Sequence, residues 1–322
     1  MTTSKTTDVD ILIVGAGPAG LSAALVLGRQ QRRVLLVDDG RPRNASVTEM
    51  HMYLSRDGDD PAHLRTLAYG EVAGHPNVTV RSGEVTAITG SAGGFHARVV
   101  PSGDRSSAED VDSRIVLLAG GITDDVSGLP GLAERWGRDV HHCAYCHGFE
   151  SLARQVGVLA RTPAEIMLSR YIADRFSSDV TVFTGGLGSD DDTAAMISET
   201  RARGVRIHPR TPVGLEGRPG RPSIRVAEEG TDGGQDREFE IVFHRPPERQ
   251  SNTLAEQLGC ALTDDGLIAV TPTMTTSVPG VFAAGDAARN PDSPAPMQFV
   301  ASAVADGQRA SVWIEQDLFL KQ

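Results

Sequence analysis

Residues 11–14, Ile-Leu-Ile-Val, form an apolar run of the length a buried strand needs, and Gly15, Gly17 and Gly20 follow it at once. Pro18 and Ala19 complete the turn. A small-residue helical pattern then covers 21–30, and a second apolar run at 34–37 ends in Asp38. Strand, tight turn, helix, strand and acid within about thirty residues describe a nucleotide-binding βαβ unit. The glycines let backbone N–H groups approach a pyrophosphate at a helix N-terminus, and Asp38 is placed to accept from an adenosine ribose hydroxyl. Asp39 is the alternative acceptor, since strand ends shift by a residue or two. Glycines serving only close packing are the plainer reading. The position of the motif between strand and helix argues against it.

The stretch 11–28 carries no charge and approaches the length of a membrane span, but three glycines and Pro18 interrupt it, and Asp8 and Asp10 precede it. Neither a span nor a cleaved leader is expected, and a soluble, cytoplasmic protein is. The chain has 322 residues, enough for two domains, and its 31 Lys+Arg against 42 Asp+Glu give a net charge of −11. That balance disfavours nucleic acid or an anionic membrane as the main partner. Three cysteines cannot make a secreted disulfide framework.

Two further nucleotide signals lie far downstream. An apolar strand pattern at 115–119 ends in Gly120, and a turn and buried strand at 278–286 end in Gly285 and Asp286, an acid placed to bond a ribityl or phosphate-linked hydroxyl. From Gln298 the pattern to 317 is helical, and the start of that helix is expected to point at an isoalloxazine ring. One nucleotide domain built from residues 1–122 and 246–322 is therefore expected, with a second domain, 123–245, inserted in it. Turn-rich residues at 123–128 and 245–249 mark the hinges, and 101–109 and 228–237 read as hairpin or surface loops.

The chemistry centres on His141, His142, Cys143, Cys146 and His147, with Gly148 behind them. Two cysteines at this spacing can close a disulfide across one helical turn, and a helix N-terminus with a nearby imidazolium would lower the thiolate pKa. A redox pair leads. A zinc site, c-type haem attachment and inert structural cysteines are the alternatives, and haem attachment would need export. No second ligand cluster stands out, so no metal is expected. Cys260, alone among apolar neighbours, reads as a buried small residue.

The glycine-rich opening, the central Cys-x-x-Cys and the late Gly285-Asp286, in this order, resemble the low-molecular-weight thioredoxin reductases over nearly the whole chain. The resemblance implies an α/β protein of two Rossmann-like, three-layer nucleotide-binding domains, the second inserted in the first. It also implies FAD on the first domain and a homodimer. By position it sets Cys146 beside the flavin C4a and leaves Cys143 to exchange with substrate. His147 stands where that family has an Asp, which would move an acid/base group toward neutral pKa.

The insert departs further. After the strand pattern 155–159, a second glycine-rich loop for NADPH should appear, but the chain reads Ala160, Arg161, Thr162, Pro163, Ala164, Glu165. After the strand pattern 180–183, Asp190, Asp191 and Asp192 replace the basic residues that would grip a 2′-phosphate. Flavin and dithiol without a nicotinamide site, together with Cys-x-x-Cys-His-Gly, are similar to the dithiol oxidases that close disulfides in gliotoxin-, holomycin- and romidepsin-type antibiotics. Stretches at 41–44 and 56–58 resemble that branch too. The resemblance implies a small-molecule dithiol and O₂ as substrates, with H₂O₂ released. It makes His147 the candidate base and His142 the second, although either ring could instead cap backbone. An NADPH- or ferredoxin-dependent thioredoxin or disulfide reductase, with Arg161, Arg201 or Arg203 supplying charge, and a flavin redox sensor are the other readings.

Overall fold

The computed structural model describes residues 7–104, 107–226 and 235–320. Within it the chain forms two compact units: Met1–Ala45, Pro61–Thr123 and Arg249–Gln322 in one, Ser46–Asp60 and Asp124–Glu248 in the other. The expected boundaries thus move by one to three residues at the two hinges. They also change in kind at Ser46–Asp60, a segment expected in the first domain that groups with the second because its contacts run to residues there. Part of the loop expected at 101–109, and most of that at 228–237, lies outside the described residues.

The first unit is built on a sheet whose parallel core runs, in space, Val78–Ser91, Val34–Asp38, Thr7–Val14, Glu109–Leu118 and Val281–Ala283. Ile11 pairs with Val34 on one side and Ile115 on the other, so the apolar runs read in the sequence become neighbours although a hundred residues separate them. Strands buried on both faces need no polar alternation, which explains why these runs are continuous. Val78–Ser91 outruns its parallel partner and turns antiparallel with Gly94–Pro101, giving the sheet an appended hairpin. The helix Pro18–Arg29 starts with Pro at its first turn and packs on the long helix Val300–Leu320. Ser22 and Ser311 hydroxyls donate across that contact to Val304 and Ala23 carbonyls, and Arg32 pairs bidentately with Glu315. The last helix begins at Val300, so Gln298 precedes it rather than opening it.

The second unit has a five-stranded parallel sheet in the order Arg206–His208, Val180–Phe183, Val156–Leu159, Ile241–His244, Val140–His141. A small antiparallel sheet of Pro212–Arg218, Arg221–Val226 and Gln235–Glu238 belongs to the same unit. The edge strand Val140–His141 matters most for the chemistry. It registers His141 with Phe243 and delivers the chain into the cysteine motif. Among the described residues no helix is long and apolar enough to cross a membrane.

Candidate active site

The first unit carries a cradle in which each glycine of the motif answers a different need. Gly15 has φ +97°, and a Cβ there would lie 2.5 Å from the Ala119 carbonyl oxygen. Gly20 lies against the Gly15 carbonyl, where no side chain fits. Gly17 is the opposite: a Cβ would meet nothing within 4 Å, which leaves the backbone open to an approaching pyrophosphate. Asp38 closes the cradle, its carboxylate accepting from Ala16 N at 3.0 Å and from the Tyr69 hydroxyl at 2.7 Å. Asp39, at the same strand end, is exposed and turned to Arg41. Gly120 abuts the Asn252 amide, and Gly285, at φ +73°, abuts Ala19.

Arg43 reaches Asp286 although no nucleotide-binding motif marks it. Its guanidinium is mostly buried and donates to both Asp286, at 3.1 Å, and Gln298, at 3.0 Å. Asp286 is therefore held by a cation. Arg43 lies in the stretch 41–44 that resembles the dithiol oxidase branch, and that is its only signal in the sequence.

The second unit carries the thiol chemistry. Cys143 and Cys146 form a disulfide, with Cα atoms 5.3 Å apart. Their sulfurs are bonded to each other rather than presented to a metal. Cys143 caps the short helix Ala144–His147, and Cys146 N donates to Cys143 Sγ at 3.1 Å. Gly148 follows that helix in right-handed helical conformation, and it must be glycine because a Cβ there would run into the Phe176 ring. Tyr145 and Phe149 are exposed beside the pair. Cys260 is buried in the first unit, and burial raises its thiol pKa.

The histidines are arranged differently from the sequence expectation. His147 stacks on His141, ring centroids 3.9 Å apart and planes 16° apart, and His51 meets His147 edge-on at 5.6 Å. His142 instead stacks on Trp136. Burial first, then the neighbouring His51 charge, pushes His147 down to about 4, although the Glu49 carbonyl accepts from its ring and the Glu49 charge opposes the shift. Burial and the His147 charge lower His141 to about 3. The expected imidazolium beside the thiols is therefore corrected to neutral imidazole. A near-neutral pKa for His147 is corrected downward, because residue type alone does not report how deeply the ring lies. The Glu49 carbonyl fixes which His147 nitrogen bears the proton and leaves the other as a lone pair.

Where the thioredoxin reductase resemblance would place a nicotinamide loop, the chain's own side chains bond to one another. Helix Pro163–Arg175 begins with a capping box in which Thr162 N and Oγ1 donate to Glu165 Oε2 at 2.8 and 2.6 Å. Glu165 is 4% exposed. Arg161 donates to the Arg245 carbonyl. Asp190 caps helix Asp191–Ala202 by accepting from Thr193 N, and that bond lowers its pKa.

Residues 9–307 match the model of the pyridine nucleotide-disulphide oxidoreductase family. The chain belongs to that family. It is 33% identical over 310 residues to a thioredoxin reductase, sirT, of Leptosphaeria maculans, covering 94% of this chain and 91% of the relative. A crystal structure of HlmI superposes with a TM-score of 0.84 at 33% identity, covering 98% of this chain and 95% of that one. An oxidoreductase from Agrobacterium tumefaciens gives 0.84 at 32% identity, over 98% and 100% of the two chains. The protein is thus an oxidoreductase of thioredoxin reductase-like fold, and its cofactor is FAD. The glycine geometry at Gly15, Gly17 and Gly20, with Asp38, fits the adenosine diphosphate half of that cofactor.

Proposed function

We propose that this oxidoreductase is a dithiol oxidase: it closes a disulfide in a small-molecule dithiol of the antibiotic class and passes the electrons to O₂. The observation that carries the reading is the capping box of Thr162 and Glu165. In a nicotinamide-dependent reductase that helix N-terminus is where a pyrophosphate would accept from backbone N–H groups. Here a buried carboxylate of the chain itself holds the position. A dinucleotide would have to displace Glu165 and meet its charge, losing charge-assisted bonds of roughly 1.5–3 kcal/mol each.

His147, neutral and oriented by the Glu49 carbonyl, takes the proton from the first substrate thiol. The thiolate attacks Cys143 Sγ, and Cys146 leaves with the bonding pair. The second substrate thiol then displaces Cys143, so two electrons rest on the cysteine pair and the product leaves as a disulfide. Cys146 N–H, 3.1 Å from Cys143 Sγ, stabilises a thiolate on Cys143. FAD, held by the Gly15, Gly17, Gly20 and Asp38 cradle, would supply the two-electron acceptor that restores the disulfide and hands the pair on to O₂ as H₂O₂. His142, stacked on Trp136, orients a neighbour rather than moving a proton. We take the working protein to be a cytoplasmic homodimer, as the thioredoxin reductase resemblance implies, with no nucleic-acid or membrane partner.

Anaerobic stopped-flow tests the reading. A small dithiol should bleach the flavin within a turnover time, while NADPH and NADH leave it oxidised. Rapid bleaching by NADPH would restore the reductase alternative.

A further inference from the structure

The second unit contains a cavity of about 530 Å³ whose wall includes His141, His147, His51, Glu49 and Glu150. His51 comes from Ser46–Asp60, the loop that also carries the stretch 56–58, although His51 itself lies outside that stretch. The loop is tightly pinned. Met50 and Asp59 form a bridge, Met52 N donates to Asp57 Oδ1 at 2.8 Å, and Met52 and Ser55 both take positive φ. A non-glycine residue in that region costs free energy and persists where the surroundings over-determine it. Its effect is to set His51 against His147 with three carboxylates around it: Glu150 at 3.4 Å and Glu49 at 3.9 Å from Nε2, and Asp57 at 3.5 Å from Nδ1. Among the described residues, His51 Nε2 and Glu150 Oε2 are buried atoms without a hydrogen-bond partner.

Resting on the oxidase reading, we propose that His51 is a positioning residue that acts through His147, receiving the proton His147 takes from the substrate thiol and holding it against Glu150 at the cavity wall. The need for it is physical. Burial alone disfavours a charge on His147, so its ring holds a thiol proton only in passing. His51 has carboxylates on both sides, from its own loop and from the turn Phe149–Ser151, so a positive charge is compensated there. His141 faces His147 from the edge strand and adds no charge while neutral. Arg135, also on the cavity wall, is paired with Asp139. In the balance of the step, the first thiol proton passes to His147 and on to His51 as the Cys143–Cys146 bond breaks onto Cys146. The second thiol then finds His147 neutral again, and both protons leave with the two electrons that go to O₂.

The experiment follows flavin bleaching by a dithiol, under nitrogen, across about pH 5–9, in FAD-loaded wild type, His51→Gln and Glu150→Gln. His51→Gln should slow bleaching about tenfold or more and abolish the acid limb of the profile. Glu150→Gln should retain that limb and move it to lower pH, because a protonated His51 has lost a compensating charge. A merely structural role would lower both rates without moving the limb. Imidazole ¹⁵N titration of the wild type supplies a readout free of turnover: the His51 and His147 curves should be coupled, and Glu150→Gln should shift that of His51 to lower pH. Unchanged limbs in both variants, or uncoupled titrations, would overturn the role while the wild-type reaction stands. A wild type that no dithiol bleaches overturns the oxidase reading and this role together.

Discussion

Gly307 sits inside the helix Val300–Leu320, where alanine is intrinsically favoured over glycine by about 1 kcal/mol. The structure argues that Gly307→Ala nevertheless destabilises. A Cβ there would lie 2.9 Å from the Ala19 carbonyl carbon and 3.1 Å from its Cα, with the carbonyl oxygen nearer still. These are backbone atoms of the first turn of Pro18–Arg29 and cannot rotate away. The Ser22, Ser311 and Arg32 bonds across the interface resist separation of the helices. Overpacking of this kind costs about 1–3 kcal/mol, and contact with backbone places it toward the upper end. After the propensity gain, about 1–2 kcal/mol of destabilisation remains, or a fall in Tm of roughly 2–8 °C. Because Ala19 belongs to the pyrophosphate cradle, FAD should dissociate faster as well. Thermal unfolding by circular dichroism, with and without FAD, is the assay. A variant that melts at or above the wild-type temperature would refute the packing argument.

Gly17→Ala tests the same cradle from the open side: its Cβ meets no protein atom, so apo stability should hold while FAD affinity falls about tenfold or more, measured by flavin release. Cys143→Ser and Cys146→Ser should both abolish dithiol oxidation, but only Cys143→Ser should show a long-wavelength thiolate–flavin absorption band. The band in the opposite variant would reverse the assigned roles. His141 and His147 have folded pKa values below the unfolded value of about 6.5, so the unfolded chain binds more protons below that pH. Stability should therefore fall as pH drops from about 6.5 toward about 4, by up to about 1.4 kcal/mol per pH unit for each ring. Urea midpoints at successive pH values should show this, with a shallower fall in His147→Gln.

The nucleotide cradle was legible because its chemistry is local: Gly15, Gly17, Gly20 and Asp38 fall within one βαβ unit whose spacing carries the geometry. The Cys143–Cys146 pair was legible for the same reason, since one helical turn joins the sulfurs. Arg43 and His51 were not. Arg43 reaches Asp286 across 243 residues, and His51 meets His147 across 96, and no local pattern encodes such contacts. Thr162 and Glu165 stand out in the sequence as the wrong residues for a nucleotide loop. Their spacing is also a capping-box signature, S/T-x-x-E, which could have shown that the helix end supplies its own anion. The low pKa of His147 depends on depth and on the neighbouring His51, neither of which the string of residue types records.

The central claim is that substrate thiols reduce this protein and oxygen re-oxidises it, with no nicotinamide in the cycle. Enzyme, a small dithiol and air, without nicotinamide, should consume two thiols for each H₂O₂ formed, the two followed together by thiol titration and a peroxide-coupled assay. Thiol loss that requires oxidised nicotinamide, or that proceeds without peroxide, would contradict it.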